Sequence, residues 1–209
     1  MDKFKWQLPI DKLAPVVKEA QAKLRQIDRA VVAEQSGATI DRDGQLRVEF
    51  LRREYVIEHT EWTVRRADDG VAPPSLIQSL ILTYLYTSDG TTPTHRLIGF
   101  RELPSGLFYA QAFQGYTGGE LVRELCGDVV RFQAACDRLS GTAVALGDAG
   151  YAFRILPQLT LSIVMWAGDD EFPAQAQVLF DANASHHLPT EALAIVGSLL
   201  IGQIVKAAK

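Results

Sequence analysis

A chain of 209 residues, 47% of them apolar and 22% charged, can bury roughly 70% of its unfolded surface in a core of its own, which excludes a disordered chain. A formal net charge of −4 and a pI of about 5.6 exclude nucleic acid as the expected partner, since nucleic-acid-binding domains carry a pI above about 9 or a concentrated basic face. Two cysteines, Cys126 and Cys136, are too few for a disulfide framework or a cysteine-only metal site.

Taken in order, the N-terminal stretch MDKFKWQLPIDKL holds no apolar run of signal-peptide length, so the cytoplasm is the expected compartment. From Asp11, the residues Leu13, Val16, Val17, Ala20, Leu24 and Ile27 recur at helical spacing and predict an amphipathic helix, with Pro15 tolerated in its first turn. Leu46, Val48 and Phe50 then alternate with Arg47 and Glu49, and Tyr55, Ile57 and His59 continue the alternation. This predicts a hairpin, with a third short strand at 62–66. The arginines Arg47, Arg52, Arg53, Arg65 and Arg66 are interleaved with six acids and read as a solvated face.

Pro73-Pro74-Ser75 opens a predicted helix to about Tyr86, with Ser75 as cap and Gln78 closing a capping box. A polar loop carries His95 toward Phe100, and Leu107 to Phe113 reads as a strand. A helical stretch follows from Glu120, with Cys126 and Cys136 inside it as ordinary, partly buried thiols. It is split at Gly127-Asp128, where Asp128 caps the second half. Tyr151–Leu156, Leu159–Trp166 and Val178–Phe180 read as three strands, and a final helix begins near Thr190, itself a cap. The charge-free run Ala192 to Val205 falls short of the 18 or so residues of a membrane span and predicts a buried helix, with no membrane as partner. Gly197 and Gly202 in that helix allow close approach of another element, from within the fold or from a second copy in a homodimer.

No repeat, low-complexity tract or linker interrupts the chain. Strands and helices mix without regular strand-helix alternation, which predicts an α+β single domain, a mainly antiparallel sheet packed with helices. Its expected organisation is an N-terminal helix and connection over residues 1–40 and the α+β body over 41–209.

The glycines Gly115, Gly118 and Gly119 resemble a phosphate loop only loosely, because no lysine follows and Glu120 stands where the anion would sit; a structural turn is expected. Gly-x-Ser-x-Gly is absent, and Ser185 lies next to His186 in sequence, so a serine hydrolase finds no support. The densest polar constellation is Asp169, Asp170 and Glu171, then Asp181, then His186 and His187. Carboxylates and imidazoles are the ligands of catalytic zinc, iron or manganese and also serve as general acids and bases. A metal set of Asp169, Asp170, Glu171, Asp181 and His186, and a cofactor held by His186 or His187, are therefore the sites to examine. If the last strands pair as a hairpin, Asp181 falls opposite Ile163, about 15 Å along the strand from the acidic turn. The bland reading is an acidic turn, an aspartate ending a strand and two loop histidines.

The run from Trp166 to Ala174, then Val178-Leu179-Phe180-Asp181, then His186-His187-Leu188-Pro189-Thr190-Glu191, resembles the signature of the bacterial and archaeal family called domain of unknown function 3786. Phe100-Arg101-Glu102-Leu103-Pro104, Gly106, Phe108-Tyr109 and Leu146-Gly147-Asp148-Ala149 resemble its middle portion. The resemblance covers roughly residues 45 to 206 and implies a shared fold without an assigned activity. Its relatives in anaerobes, some fused to an iron-sulfur segment that this chain lacks and some near corrinoid and one-carbon metabolism, imply an accessory or ligand-binding role. Three expectations follow: a binding or accessory protein engaging a protein partner, a metal cofactor or a tetrapyrrole; a metal-dependent hydrolase or lyase built on the acidic turn and the histidine pair; and an interaction protein acting through the C-terminal helix.

Overall fold

A computed structural model describes residues 10–209, and the expectation for the N-terminal stretch lies largely outside them. The chain has the α+β composition read from its sequence, with a four-stranded and a five-stranded antiparallel sheet. Backbone contacts divide it into two compact units. The first comprises the described residues up to Pro93 with Ile155–Leu159 and His186–Pro189, and the second the remainder.

In the first unit, α1 (Ile10–Leu24) buries Leu13, Val17, Ala20 and Leu24, while Val16 faces out. Pro15 is its sixth residue, past the first turn expected for it, so one intrahelical bond is lost there. Asp28 caps α2 (Arg29–Ser36) by accepting the Ala30 N–H at 2.7 Å. A meander follows in the order β1 (Thr39–Ile40), β2 (Leu46–Phe50), β3 (Arg53–Glu58) and β4 (Thr63–Arg66). Leu46, Val48, Phe50, Tyr55, Ile57 and Val64 point to the buried side. Outside, Arg47 pairs with Asp41 and Glu54, Arg53 with Asp68, and Arg66 with Asp69. The hairpin between β2 and β3 turns on Leu51 and Arg52, both at positive φ, in place of the usual Asn-Gly.

The helix α3 (Ser75–Thr87) packs against α1 and α2. Ser75 is already its first helical residue and Pro74 stands at the cap. No side chain caps the helix there, and Gln78 instead donates to the Pro73 carbonyl at 2.8 Å, so the predicted capping box does not form. The second proline holds the extended backbone a cap requires, which moves the serine one place inward.

The five-stranded sheet runs β5 (Leu97–Gly99), β9 (Gln175–Asp181), β8 (Leu159–Trp166), β7 (Ala149–Leu156) and β6 (Thr142–Val144), and it belongs to the second unit except for the β7 and β8 residues within Ile155–Leu159. Around it lie α4 (Ala110–Tyr116), α5 (Gly118–Leu125), α6 (Val129–Arg138) and α7 (Thr190–Ala207). The segment read as a strand, Leu107 to Phe113, is a 3-10 turn followed by α4. Leu107, Phe108 and Tyr109 are 62%, 85% and 61% exposed, so their β propensity meets no sheet to satisfy it. Asp128 caps α6 as expected, accepting from Arg131 N–H. Cys136 is buried, whereas Cys126 is exposed at the end of α5, not inside a helix.

Thr190 is the first residue of α7, and its hydroxyl donates to the Pro104 carbonyl at 2.7 Å. At 18 residues and mean hydropathy 1.4, α7 is long and apolar enough to cross a membrane by length and composition, longer than the charge-free run suggested; half of it is buried. A Cβ on Gly197 would lie 3.0 Å from the Phe113 ring, while one on Gly202 would meet nothing within 4 Å.

Candidate functional site

The acidic turn joins β8 to β9, whose last pair is Trp166 with Gln175. Asp169 organises it: its carboxylate accepts the N–H groups of Phe172 at 2.7 Å and Glu171 at 2.9 Å, and its own N–H donates to the Phe172 carbonyl. These bonds hold the Asp169 carboxyl below its ordinary range. Asp170 and Glu171 are exposed.

Asp181 stands at the other end of β9. Val178 lies opposite Ile163 and Phe180 opposite Leu161, so Asp181 falls three residues beyond its expected place, and six residues from Gln175, roughly 20 Å at about 3.3 Å per residue. The carboxylate is 5% exposed and takes four hydrogen bonds: Thr94 N–H at 2.9 Å, Thr94 hydroxyl at 2.7 Å, His95 N–H at 2.6 Å and Asn183 N–H at 3.0 Å. Burial pushes its carboxyl up, and the bonds from Asn183, Thr94 and His95 together outweigh that and leave it lowered. Such a carboxylate is a clamp on the loop entering β5, with its lone pairs directed at the chain itself. The set Asp169, Asp170, Glu171, Asp181 and His186 is not gathered: among the described residues no group of three or more His, Cys, Asp or Glu is placed to hold a metal ion.

The histidines belong to the first unit. His187 is fully buried; its Nε2 donates to the Thr91 carbonyl at 2.8 Å and its Nδ1 lies 3.2 Å from the Ser88 hydroxyl. Its carbonyl accepts the Thr87 hydroxyl, and the Tyr84 ring lies 6.0 Å away. Both ring nitrogens thus serve the loop after α3, and ligation of a cofactor by His187 would break that anchoring. His186 is exposed, with Nδ1 2.7 Å from an Asp89 carboxylate oxygen and 3.2 Å from the Thr91 hydroxyl. Thr91 first, then His186, hold the Asp89 carboxyl well below the usual range.

Two concavities complete the picture. In the first unit, a cleft of about 520 Å3 is bordered by Arg25, Asp28, Arg29, His59 and Trp62. Its charges are already engaged: Arg25 with Glu61 at 2.6 Å, Arg29 with the Gly44 carbonyl at 2.6 Å, and Asp28 on α2. In the second unit, a groove of about 440 Å3 is lined by Phe100, Arg101, Phe113, Gln114, Trp166 and Gln177, among others. Phe100 and Phe113 stack at 4.1 Å with Phe180 behind them, giving a rigid floor. Gln114 donates to the Ala176 carbonyl at 2.8 Å. Arg101 is the one charged side chain among the described residues that line the groove.

Sequence reasoning passed over this groove because the segment beside it was read as a strand. The helical signal was present: Phe113, Thr117, Leu121 and Leu125 recur every four residues, and all four are buried.

A family model described as domain of unknown function (DUF3786) matches residues 28–203. No curated protein and no solved structure matches the chain.

Proposed function

The chain belongs to the DUF3786 family, and from that premise we propose that it is a ligand-binding accessory protein whose ligand seat is the groove of the second unit. One observation carries this reading: a concavity of about 440 Å3 joins a stacked aromatic floor to a single guanidinium and a set of carboxamides. Largely apolar concavities of roughly 300–1,000 Å3 with a few placed polar groups are where proteins take up small molecules. Trp166, 38% exposed, offers a flat face, and Gln111, Gln114, Gln175 and Gln177 offer amide donors and acceptors. Arg101 suits a carboxylate, which guanidinium groups hold bidentately. The ligand class is a flat, mostly apolar molecule carrying a carboxylate, and a tetrapyrrole is the member of that class that the accessory role suggests.

The test is a titration with haem and with iron-free porphyrin, followed by tryptophan fluorescence and absorption. Saturable quenching is expected, weakened about tenfold or more in Arg101→Ala through loss of a charge-assisted pair worth about 1.5–3 kcal/mol. Absence of saturable binding removes the tetrapyrrole. Binding unchanged in both Arg101→Ala and Trp166→Ala moves the seat away from the groove.

A second reading attaches to His186. A carboxylate at one ring nitrogen, as Asp89 is at Nδ1, orients the other for a metal. Elemental analysis of the protein beside His186→Ala decides it: a stoichiometric metal lost in the variant supports ligation, and a metal-free protein removes it.

A further inference from the structure

The groove of the second unit owes its shape to residues without side chains. A Cβ on Gly106 would lie 2.0 Å from the Phe100 carbonyl oxygen, one on Gly118 2.0 Å from the Ala176 carbonyl oxygen and 2.5 Å from the Gln114 amide nitrogen, and one on Gly197 3.0 Å from the Phe113 ring. Phe100, Ala176, Gln114 and Phe113 all line the groove. Each of these lining residues stands where it does because a glycine lies behind it.

Gly197 differs from the other two. At Gly106 and Gly118 a side chain would collide first with backbone, which cannot yield without displacing the turn or strand that carries it. On α7, Gly197 faces side chains alone: Cε2 and Cζ of Phe113 at 3.0 Å and Cγ1 of Val178 at 3.8 Å, and Val178 lines the groove as well. Carbon atoms settle about 3.5–4.0 Å apart, so an added methyl group displaces the Phe113 ring by about half an ångström.

Its surroundings decide where the ring goes. Phe100 stacks on it at 4.1 Å, Tyr116 meets it edge-on at 5.7 Å, and Phe180 lies 5.9 Å away. Close-packed neighbours pass a displacement on rather than absorb it, and the groove is the open space that borders both Phe113 and Phe100. The stacked pair therefore advances into the groove. With the groove empty this costs little; with a ligand on the floor, ring and ligand contend for the same volume. The penalty of an added methyl group thus falls on binding and leaves folding nearly untouched.

We propose that Gly197 sets the depth of the groove and so decides how bulky a planar carboxylate it admits. The glycine keeps the floor of Phe113 and Phe100 low enough for a broad ring system to settle on it while Arg101 holds the acid group. The choice of ligand rests on the groove being the ligand seat, whereas the depth stands on the packing alone.

The test is porphyrin titration and thermal melting of the protein beside Gly197→Ala, Gly202→Ala and the double variant Gly197→Ala, Phe113→Leu. Gly197→Ala should bind porphyrin about tenfold more weakly while its Tm holds or rises, because alanine is the better helix former. Gly202→Ala, at an open position of the same helix, should keep full affinity. The smaller leucine makes room for the methyl group and should restore most of the affinity lost in Gly197→Ala. Affinity unchanged in Gly197→Ala, or lowered together with Tm and not restored in the double variant, overturns the proposal. A crystal structure of Gly197→Ala separates the two readings. If the protein binds no porphyrin, the tetrapyrrole falls, while a Phe113 ring advanced into the groove still supports the depth; a ring left in place, or turned toward Tyr116, overturns it.

Discussion

Asp181 shows how one buried carboxylate fixes a stretch of chain. Its bond from the His95 N–H holds that residue at φ 58°, a conformation that costs a side chain with a Cβ roughly 1–2 kcal/mol. Asp181→Asn replaces an acceptor-only group with one that also presents donors to donors. About 2–3 kcal/mol of stability should be lost in urea denaturation. Since the folded carboxyl is lowered, its contribution is complete above the unfolded value of about 4 and is lost as pH falls through the lower folded value. The gap between protein and variant should therefore narrow progressively as pH falls below about 4; a gap that stays constant as the pH is lowered would show that the negative charge is not what stabilises the loop.

Among the elements, α5 owes its place to Gly118. A Cβ there would lie 2.0 Å from the Ala176 carbonyl oxygen on β9. Gly118→Ala should cost about 3 kcal/mol and lower Tm by roughly 6–12 °C, because backbone rather than a flexible side chain must move. Gly202→Ala, in open space on α7, should instead gain up to about 1 kcal/mol from helix propensity. Equal effects in a thermal melt would refute the packing argument.

The same contrast explains what the sequence could convey at this scale. The meander was legible because Leu46, Val48, Phe50, Tyr55 and Ile57 alternate in a sheet with one wet face. The short strands β5 and β6 were not, for their three residues each are too few to display a period. Leu107 to Tyr109 misled because propensity describes a residue's preference and is silent on whether a neighbouring strand exists. At the candidate site, the acidic turn and the histidine loop were visible as residue types. Their separation was legible in part: the expected hairpin already set Asp181 about 15 Å from the acidic turn, and only the further three residues of offset depend on a strand register that one sequence leaves free. The groove was hidden for a related reason: Arg101 and its glutamines are ordinary surface residues until α4 and β9 bring them together.

For the molecule as a whole, the two units are interleaved along the chain. The first needs Ile155, whose carbonyl accepts from Leu51 N–H; Gln158, whose N–H donates to the Tyr84 hydroxyl; and His187 beneath the loop after α3. A fragment ending at Pro93 lacks all three and should show no cooperative unfolding by circular dichroism, while the full chain does. A cooperative transition in the fragment would mean that the late segments are dispensable. This threading also bears on how the protein is born. A domain made from one continuous stretch can fold as it leaves the ribosome. Here the first unit stays unfinished until residue 189 has been translated, by which time all of the second unit but its last segment, the one that forms α7, has been made as well. The N-terminal helices can meet α3 early, but the loop after α3 gains the His187 side chain that anchors it only when the chain is almost complete.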